Sequence, residues 1–408
     1  MEPLPDTVRP LLESLRPAPG DPATDAFDAV DQLVLDIAAA DLQPDDVGVP
    51  RSDGRISVID DTTGALTLGA VSLGVVHAHV HQDSITWERA LACNADRLGL
   101  TDSYTQTGPL ASMEAPESVG GTSGGRELYG PELLEGARVV LLRLPKSLDA
   151  LAEIAEAVAR HASPDVVLYA GGRVKHMSHG MNDVLGASFG DVHASLGRHK
   201  SRVLVARSPL TVPEAPTFPR AAHLGDPDLT VVAHGGVFAG TRLDIGTRYL
   251  LGFLPRMAPD ARDVIDVGCG SGVLATAIAR ARPEARVLAS DRSAAAVASA
   301  RATALANGVG HAVRTVRDDA LSSVPDASAD LLVCNPPFHS GTAVDTEDAQ
   351  RMFDAAGRVL RPGGELWTVY NSHLTYRRIL SRSVGPTEMM GQNPKFTVTR
   401  SVRKGSPG

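Results

Sequence analysis

The sequence predicts an α/β protein of two tandem Rossmann-like domains, and three observations carry that expectation. Short apolar runs alternate with amphipathic segments along most of the chain, the pattern of a mostly parallel sheet covered on both faces. The length, 408 residues, exceeds that of one ordinary domain. A proline-rich stretch holding Pro213, Pro216, Pro219 and Pro227 falls between two such alternating regions. Domains are therefore expected at 1–210 and 231–408, joined by a linker at 211–230.

The C-terminal half is the more legible. Asp263 to Val267 is a short apolar run entering Gly268-Cys269-Gly270-Ser271-Gly272. Val273, Leu274, Ala277, Ile278 and Ala281 then share one helical face. Strands are expected at Arg286–Ser290, ending at Asp291, and at Ala312–Val316, with an Ala-rich helix at 293–306 between them. A further strand, Leu331–Cys334, runs into Asn335-Pro336-Pro337-Phe338. Ala349, Met352, Phe353, Ala356, Val359 and Leu360 recur at helical spacing until Arg361-Pro362-Gly363-Gly364 stops them, and Glu365–Tyr370 is a strand. In the N-terminal half, strands are expected at Ile56–Asp60, Val139–Leu142 and Val166–Tyr169, and a helix at 148–161. This half reads as a decayed copy of the other. Segment 101–136 is rich in Gly, Ser and Pro and reads mostly as loop.

Composition excludes several classes. Hydrophobic residues are 43% and charged residues 21%, so each half can bury a core. No run of about 18 apolar residues exists to cross a membrane. The Met1-Glu2-Pro3-Leu4-Pro5-Asp6 start has neither the basic residues nor the apolar core of a secretory signal. Cys93, Cys269 and Cys334 are odd in number and far apart, which points to a reducing cytoplasm. A net charge of −9 argues against nonspecific coating of nucleic acid but allows a local basic surface. The oligomeric state stays open, and a monomer is compatible with everything here.

A glycine-rich turn between a first strand and a helix lets a ligand approach backbone N–H groups. Dinucleotide folds use the same device, but they need Gly-x-Gly-x-x-Gly. Here Gly268, Gly270 and Gly272 are spaced by two, and position 273 is Val. Asp266, ahead of the first glycine, suits a cationic amino-acid ligand and would repel a pyrophosphate. Asp291, at the end of the second strand, can accept both hydroxyls of a ribose. Asp319, after the third strand, can take an adenine amine. The competing reading is that the glycines serve helix–sheet packing and the aspartates are surface. The sharper one is a pocket for S-adenosylmethionine.

Asn335-Pro336-Pro337-Phe338 follows a buried strand at the edge where open α/β sheets bind ligands. The two prolines fix φ and remove two donors, leaving a stiff loop rich in acceptors. The nitrogen of an aromatic amine or an amide is a poor nucleophile, because its lone pair is delocalised. The Asn335 oxygen and the Pro336 carbonyl can accept its two N–H bonds and turn the lone pair toward a methyl donor. Phe338 can stack on a base. The competing reading is a proline turn with a core phenylalanine.

At these residues the chain resembles the ribosomal RNA guanine-N2 methyltransferases of the RsmC/RlmG type. The resemblance is strongest from Gly235-Gly236-Val237-Phe238 through Leu243-Asp244-Ile245-Gly246-Thr247 to about residue 402. It implies two methyltransferase-like domains. The N-terminal one is degenerate and aids RNA binding or folding; the C-terminal one is a class I S-adenosylmethionine-dependent methyltransferase. It also implies that Phe238, Asp244 and Gly246 rim the cofactor pocket, with Asn335 reaching it, and that the loop extends to His339, which either touches the substrate or only supports the residues that do. Asn371 to Tyr376, followed by Asn393-Pro394-Lys395-Phe396, is similar to the branch acting on 23S rather than 16S RNA. The implied partner is ribosomal RNA or a ribosomal subunit. A guanine N2 amine of 16S ribosomal RNA, protein glutamine or DNA adenine as the methylated group, and a catalytically silent RNA-binding assembly factor, remain alternatives.

Two further clusters stand out. Arg173, Lys175, Arg198, Lys200 and Arg202 form a local basic excess that could hold RNA phosphates or be a solvated face. His77, His79 and His81 alternate on a strand, but no carboxylate or cysteine completes a zinc site at a usual spacing, so a surface or packing role is expected and no metal.

Overall fold

A computed structural model describes residues 8–17, 26–42, 55–107, 127–336 and 343–405. The chain splits into two compact units between Phe218 and Pro219. The first holds strands β1 (Arg55–Ile59), β2 (Ala78–His81), β3 (Tyr104–Gln106), β4 (Ala137–Arg143), β5 (Val167–Arg173), β6 (Phe189–Ala194) and β7 (Ser201–Pro209). Its helices are α1 (Val8–Ser14), α2 (Ala29–Leu42), α3 (Ala65–Ser72), α4 (Ile85–Leu98), α5 (Pro131–Leu134), α6 (Leu148–His161) and α7 (His179–Gly186). The second holds a hairpin, β8 (Arg220–Gly225) and β9 (Asp228–Ala233), and strands β10 (Asp263–Val267), β11 (Arg286–Asp291), β12 (Val313–Arg317), β13 (Ala329–Cys334), β14 (Leu360–Asn371), β15 (Thr387–Gln392) and β16 (Phe396–Val402). Its helices are α8 (Ile245–Leu251), α9 (Val273–Ala281), α10 (Ala294–Ala306), α11 (Ala343–Val359) and α12 (Tyr376–Ser383).

The two large sheets share one topology. Their orders are β3-β2-β1-β4-β5-β7-β6 and β12-β11-β10-β13-β14-β16-β15. In each, the first five strands in chain order run parallel and the last two pair antiparallel. The strand order reverses between β10 and β13, so the turns leaving their C-terminal ends diverge and open a crevice there.

Strand side chains of the second sheet alternate between two cores. Val264, Val287, Leu331, Val333 and Trp367 pack with Leu274, Ile278 and Ala300 on one face. Ile265, Leu332, Cys334 and Leu366 pack with Phe353, Val359 and Leu380 on the other. This two-sided burial is why the strands read as continuous apolar runs. The Ala-rich α10 carries Ser299, Thr303 and Asn307 at intervals of four. Their oxygens accept the β9 N–H groups of His234, Val232 and Thr230, each at 3.0 Å, so the helix covers the hairpin edge.

Three expectations change. The stretch expected as linker up to 230 folds in its C-terminal part as the β8–β9 hairpin, because Leu229 and Val231 bury against Val273 despite the surrounding prolines. Segment 101–136, expected as loop, contains β3 and α5, while 108–126 lie outside the described residues. The strand expected from Glu365 begins at Leu360, directly where α11 ends.

Gly272 combines a φ of +77° with a helix contact: a Cβ there would lie 2.6 Å from the Ala300 Cα. Gly272→Ala is therefore expected to cost the second unit about 2–4 kcal/mol, from positive φ plus overpacking. Urea unfolding followed by Trp367 fluorescence in a Trp87→Phe background measures it. An unchanged midpoint would contradict the packing role.

Candidate active site

The turn after β10 is held open by its neighbour strand. Gly268 and Gly270 have φ of +71° and +52°, a conformation that glycine adopts without a Cβ clash. The N–H groups of Gly268 and Cys269 donate to the Ser290 carbonyl at 2.8 and 3.1 Å. Asp291 receives the Gly270 N–H at 3.1 Å on one carboxylate oxygen and the Ser293 N–H at 3.0 Å on the other. Asp291 thus shapes the turn as well as facing the crevice.

A cavity of about 510 Å³ opens at this point. Phe238, Asp244, Gly268, Gly270, Asp291, Asp319, Asn335 and Pro336 of the expected site all line it. Gly246, Asp266 and Gly272 do not. Gly272 packs on α10 as described above. Gly246 sits directly behind the wall: a Cβ there would meet Asp244 Oδ2 at 3.0 Å, Phe396 Cε1 at 3.3 Å and Asn335 Oδ1 at 3.4 Å. Asp266 is buried beneath the turn, with Oδ2 accepting the Ala275 N–H at 3.0 Å. Its Oδ1 has no hydrogen-bond partner among the described residues. Burial, reinforced by the charge of Asp291, pushes its carboxyl up to about 7 against the Ala275 bond that favours the anion. Pro337, Phe338 and His339 lie outside the described residues.

Asn335 is fixed in the cavity by two side chains. Its Nδ2 donates to Asp244 Oδ2 at 2.9 Å and to Thr247 Oγ1 at 3.0 Å. Asp244 is also the N-cap of α8, accepting the Thr247 N–H at 2.9 Å. An ionised carboxylate only accepts, so the amide N must face it. The Asn335 Oδ1 is thereby turned the other way, buried and without a hydrogen-bond partner among the described residues. A buried carbonyl oxygen left in this state costs about 1–3 kcal/mol unless something donates to it.

The opposite end is built from paired charges. Asp319 accepts from Arg351 at 2.7 Å, Arg351 also holds Asp348 at 2.7 Å, and Asp348 holds Arg292 at 3.1 Å. Asp318, buried, accepts from the Ser323 N–H at 2.9 Å and hydroxyl at 2.8 Å. Thr247, Asp318, Arg351, Met352, Asn371, Lys395 and Phe396 also line the cavity, as do Arg242 and Arg292. The sequence assigns the first seven no site role, because all but Asp318, which directly follows β12, arrive from α8, α11 and the β14 and β16 ends. The Asn371 and Asn393-Pro394-Lys395-Phe396 motifs were the available signal.

In the first unit the same crevice position is occupied by protein. The β1–β4 register matches Ile59 with Leu142, and the β10–β13 register matches Val267 with Cys334, so Arg143 is the counterpart of Asn335. Its guanidinium pairs with the fully buried Asp31 and, at 3.3 Å, with Asp28. Burial raises Asp31 to about 6 in spite of that partner. The Asp61 carboxylate, buried in the turn after β1, receives the Gly64 and Thr67 N–H groups at 3.1 and 2.8 Å.

The basic cluster changes character. Arg173 pairs with Asp28 at 3.2 Å and Arg198 with Asp36 at 2.6 Å, both carboxylates coming from α2 or its start. Lys175, Lys200 and Arg202 are exposed on the same unit, with Lys200 in the β6–β7 turn. The histidines are hydrogen-bonded: His79 with Arg55 at 2.7 Å, His77 with Thr105 at 2.8 Å, and the buried His81 with the Thr107 carbonyl at 3.3 Å. Among the described residues no group of three His, Cys, Asp or Glu is placed to hold a metal. No helix among them is long and apolar enough to cross a membrane.

Residues 228–400 match the methyltransferase small domain family, and residues 129–210 match the RLMG N-terminal domain. A ribosomal RNA large subunit methyltransferase G of Streptomyces avermitilis is 37% identical over 385 residues, 93% of this chain and 93% of its own length. That of Pseudomonas putida is 35% identical over 381 residues, 92% and 93% of the two lengths. Among solved structures, the 16S rRNA N2 guanine methyltransferase RsmC of T. thermophilus, in complex with AdoMet and guanosine, superposes with a TM-score of 0.71. It is 22% identical and covers 96% of this chain and 95% of its own, a likeness of fold.

The raised Asp266 carboxyl has a measurable consequence. Its unfolded value lies near 3.8 and its folded value near 7, so between them the folded chain keeps a proton that the unfolded chain releases. The stability from this group is complete below about pH 4 and is lost as pH rises through about 7. Asp266→Asn is expected to flatten that loss. Urea midpoints from pH 5 to 8 that run parallel in both proteins would refute it.

Proposed function

Because the chain belongs to the ribosomal RNA large subunit methyltransferase G family, we propose that it methylates the exocyclic N2 amine of a guanine in 23S ribosomal RNA, with S-adenosylmethionine as donor and Asn335 as the residue that presents the amine. The observation that supports this most directly is the buried Asn335 Oδ1, fixed by Asp244 and Thr247 and still lacking a donor among the described residues. An NH2 group is the donor such an oxygen fits.

The residues present fit the cofactor. Gly268 and Gly270 bring backbone close without side chains, Asp291 offers carboxylate oxygens at the end of β11, and Asp319 stands after β12. Phe238, Asp244 and Gly246 lie at or behind the opposite wall, with Asp266 beneath the turn. S-adenosylmethionine supplies a methyl group made electrophilic by its sulfonium. The protein then acts on the nucleophile. Asn335 Oδ1 and the Pro336 carbonyl accept the two N–H bonds of the amine, which takes the lone pair out of conjugation and aims it. Asp244 and Thr247 keep the amide from rotating away. Asn335 is not a base strong enough to retain a proton, so the product proton passes to water. Phe338 and His339, from which contact with the base is expected, lie outside the described residues. Of the basic cluster in the first unit, Lys175, Lys200 and Arg202 are open to RNA phosphates, while Arg173 and Arg198 pair with Asp28 and Asp36. The protein works in the cytoplasm, on ribosomal RNA or its subunit.

Transfer of tritium from labelled cofactor to 23S RNA, with mass mapping of the modified guanine, tests the activity. Asn335→Ala is expected to lower transfer by a factor of about 100–1,000 while cofactor binding by calorimetry persists. Near-normal turnover by that variant would overturn the role given to Asn335.

A further inference from the structure

The charges around the cavity divide into two classes. At the Asp319 end every lining arginine is matched: Arg292 by Asp348, and Arg351 by Asp348 and Asp319. At the Asn335 end two lining cations, Arg242 and Lys395, are exposed and have no carboxylate partner among the described residues. The Asp244 carboxylate at this end of the lining already receives the Thr247 N–H and the Asn335 amide.

Lys395 is held beside the reactive wall. Its Nζ lies 5.4 Å from the centroid of the Phe396 ring. That ring edge and Asn335 Oδ1 both border the space a Gly246 Cβ would fill, at 3.3 and 3.4 Å. The turn carrying Lys395 is built to be stiff. Asn393 Oδ1 accepts the N–H groups of Lys395 and Phe396 at 2.9 and 2.7 Å. Ser372 N–H donates to the Lys395 carbonyl at 2.9 Å, and the Ser372 hydroxyl to the Asn393 carbonyl at 3.1 Å. Arg242 comes from the segment just before α8, whose N-cap is Asp244. Two unmatched cations on separate, anchored segments therefore flank the point where an amine would be presented.

We propose that Arg242 and Lys395 form a phosphate subsite that grips the backbone of the target nucleotide. The chain then selects a nucleotide within a polynucleotide over a free base or nucleoside. This rests on the reading of Asn335 as the amine-presenting residue. A phosphodiester is the ligand that fits: it is anionic, it lies one sugar away from the base, and it is matched by point cations rather than by shape.

The test measures methyl transfer to protein-free 23S RNA and to large ribosomal subunits, between 50 and 200 mM salt, for wild type, Arg242→Ala, Lys395→Ala, Lys395→Arg and the double alanine variant. Each alanine variant is expected to lower kcat/KM roughly five- to tenfold, mainly through KM. It should also reduce the slope of log KM against log salt by about 1. Lys395→Arg is expected to restore most of both, and the cofactor Kd by calorimetry is expected to hold in all of them. KM and salt slope unchanged in the double variant, with wild type active, would overturn the subsite while leaving the proposed function intact. A wild type that methylates no guanine in either substrate would overturn both.

Discussion

The Asp244 carboxylate can accept hydrogen bonds and cannot donate them, and much of the site follows from that asymmetry. It caps α8, receives one proton of the Asn335 amide, and so decides which way the amide faces. Every other feature of that wall accommodates the pair. Gly246 gives up its side chain so that Asp244, Asn335 and Phe396 can share one small volume. The β10–β13 register brings Asn335 level with the glycine turn. A helix cap, ordinarily a local device for one orphan N–H, here orients a group 91 residues away.

The cavity is thus polarised in a useful sense. One end is an internally neutralised lattice of Arg292, Asp348, Arg351 and Asp319, rigid and of little net field. The other holds one oriented amide with an open acceptor, beside exposed cations. A small cationic cofactor and a large polyanion make opposite electrostatic demands. Separating the two charge environments within about 510 Å³ lets one pocket meet both.

Much of this was legible in the sequence, and the failures have identifiable causes. The strand at 263–267 and the helix at 148–161 were readable to the residue because their apolar periods are uninterrupted. The glycine turn and the Asn335-Pro336 corner were readable because their backbone chemistry is local. Gly272 could not be told from a ligand-facing glycine, since what requires it is Ala300, on another helix. Arg173 and Arg198 looked available because their partners, Asp28 and Asp36, lie 145 and 162 residues earlier. Asp266 looked like a pocket wall, but the start of α9 closes over it. The β9 strand was hidden by flanking prolines, and what orders it, the contact of Leu229 and Val231 with Val273 and the bonds to Ser299, Thr303 and Asn307, lies far along the chain.

The ion cluster in the first unit has a historical implication. Arg143 stands where its counterpart is an asparagine, and it neutralises Asp31, which has no exposure at all. Restoring an amide at 143 alone would strand a buried carboxylate, at a cost of about 3–5 kcal/mol, a large part of a typical domain's stability. Asp31 would have to change in the same step, and the Asp61-filled turn would still need new glycines. No single substitution at 143 therefore leads from this arrangement to that of the second unit, so the buried ion cluster works as a ratchet against it.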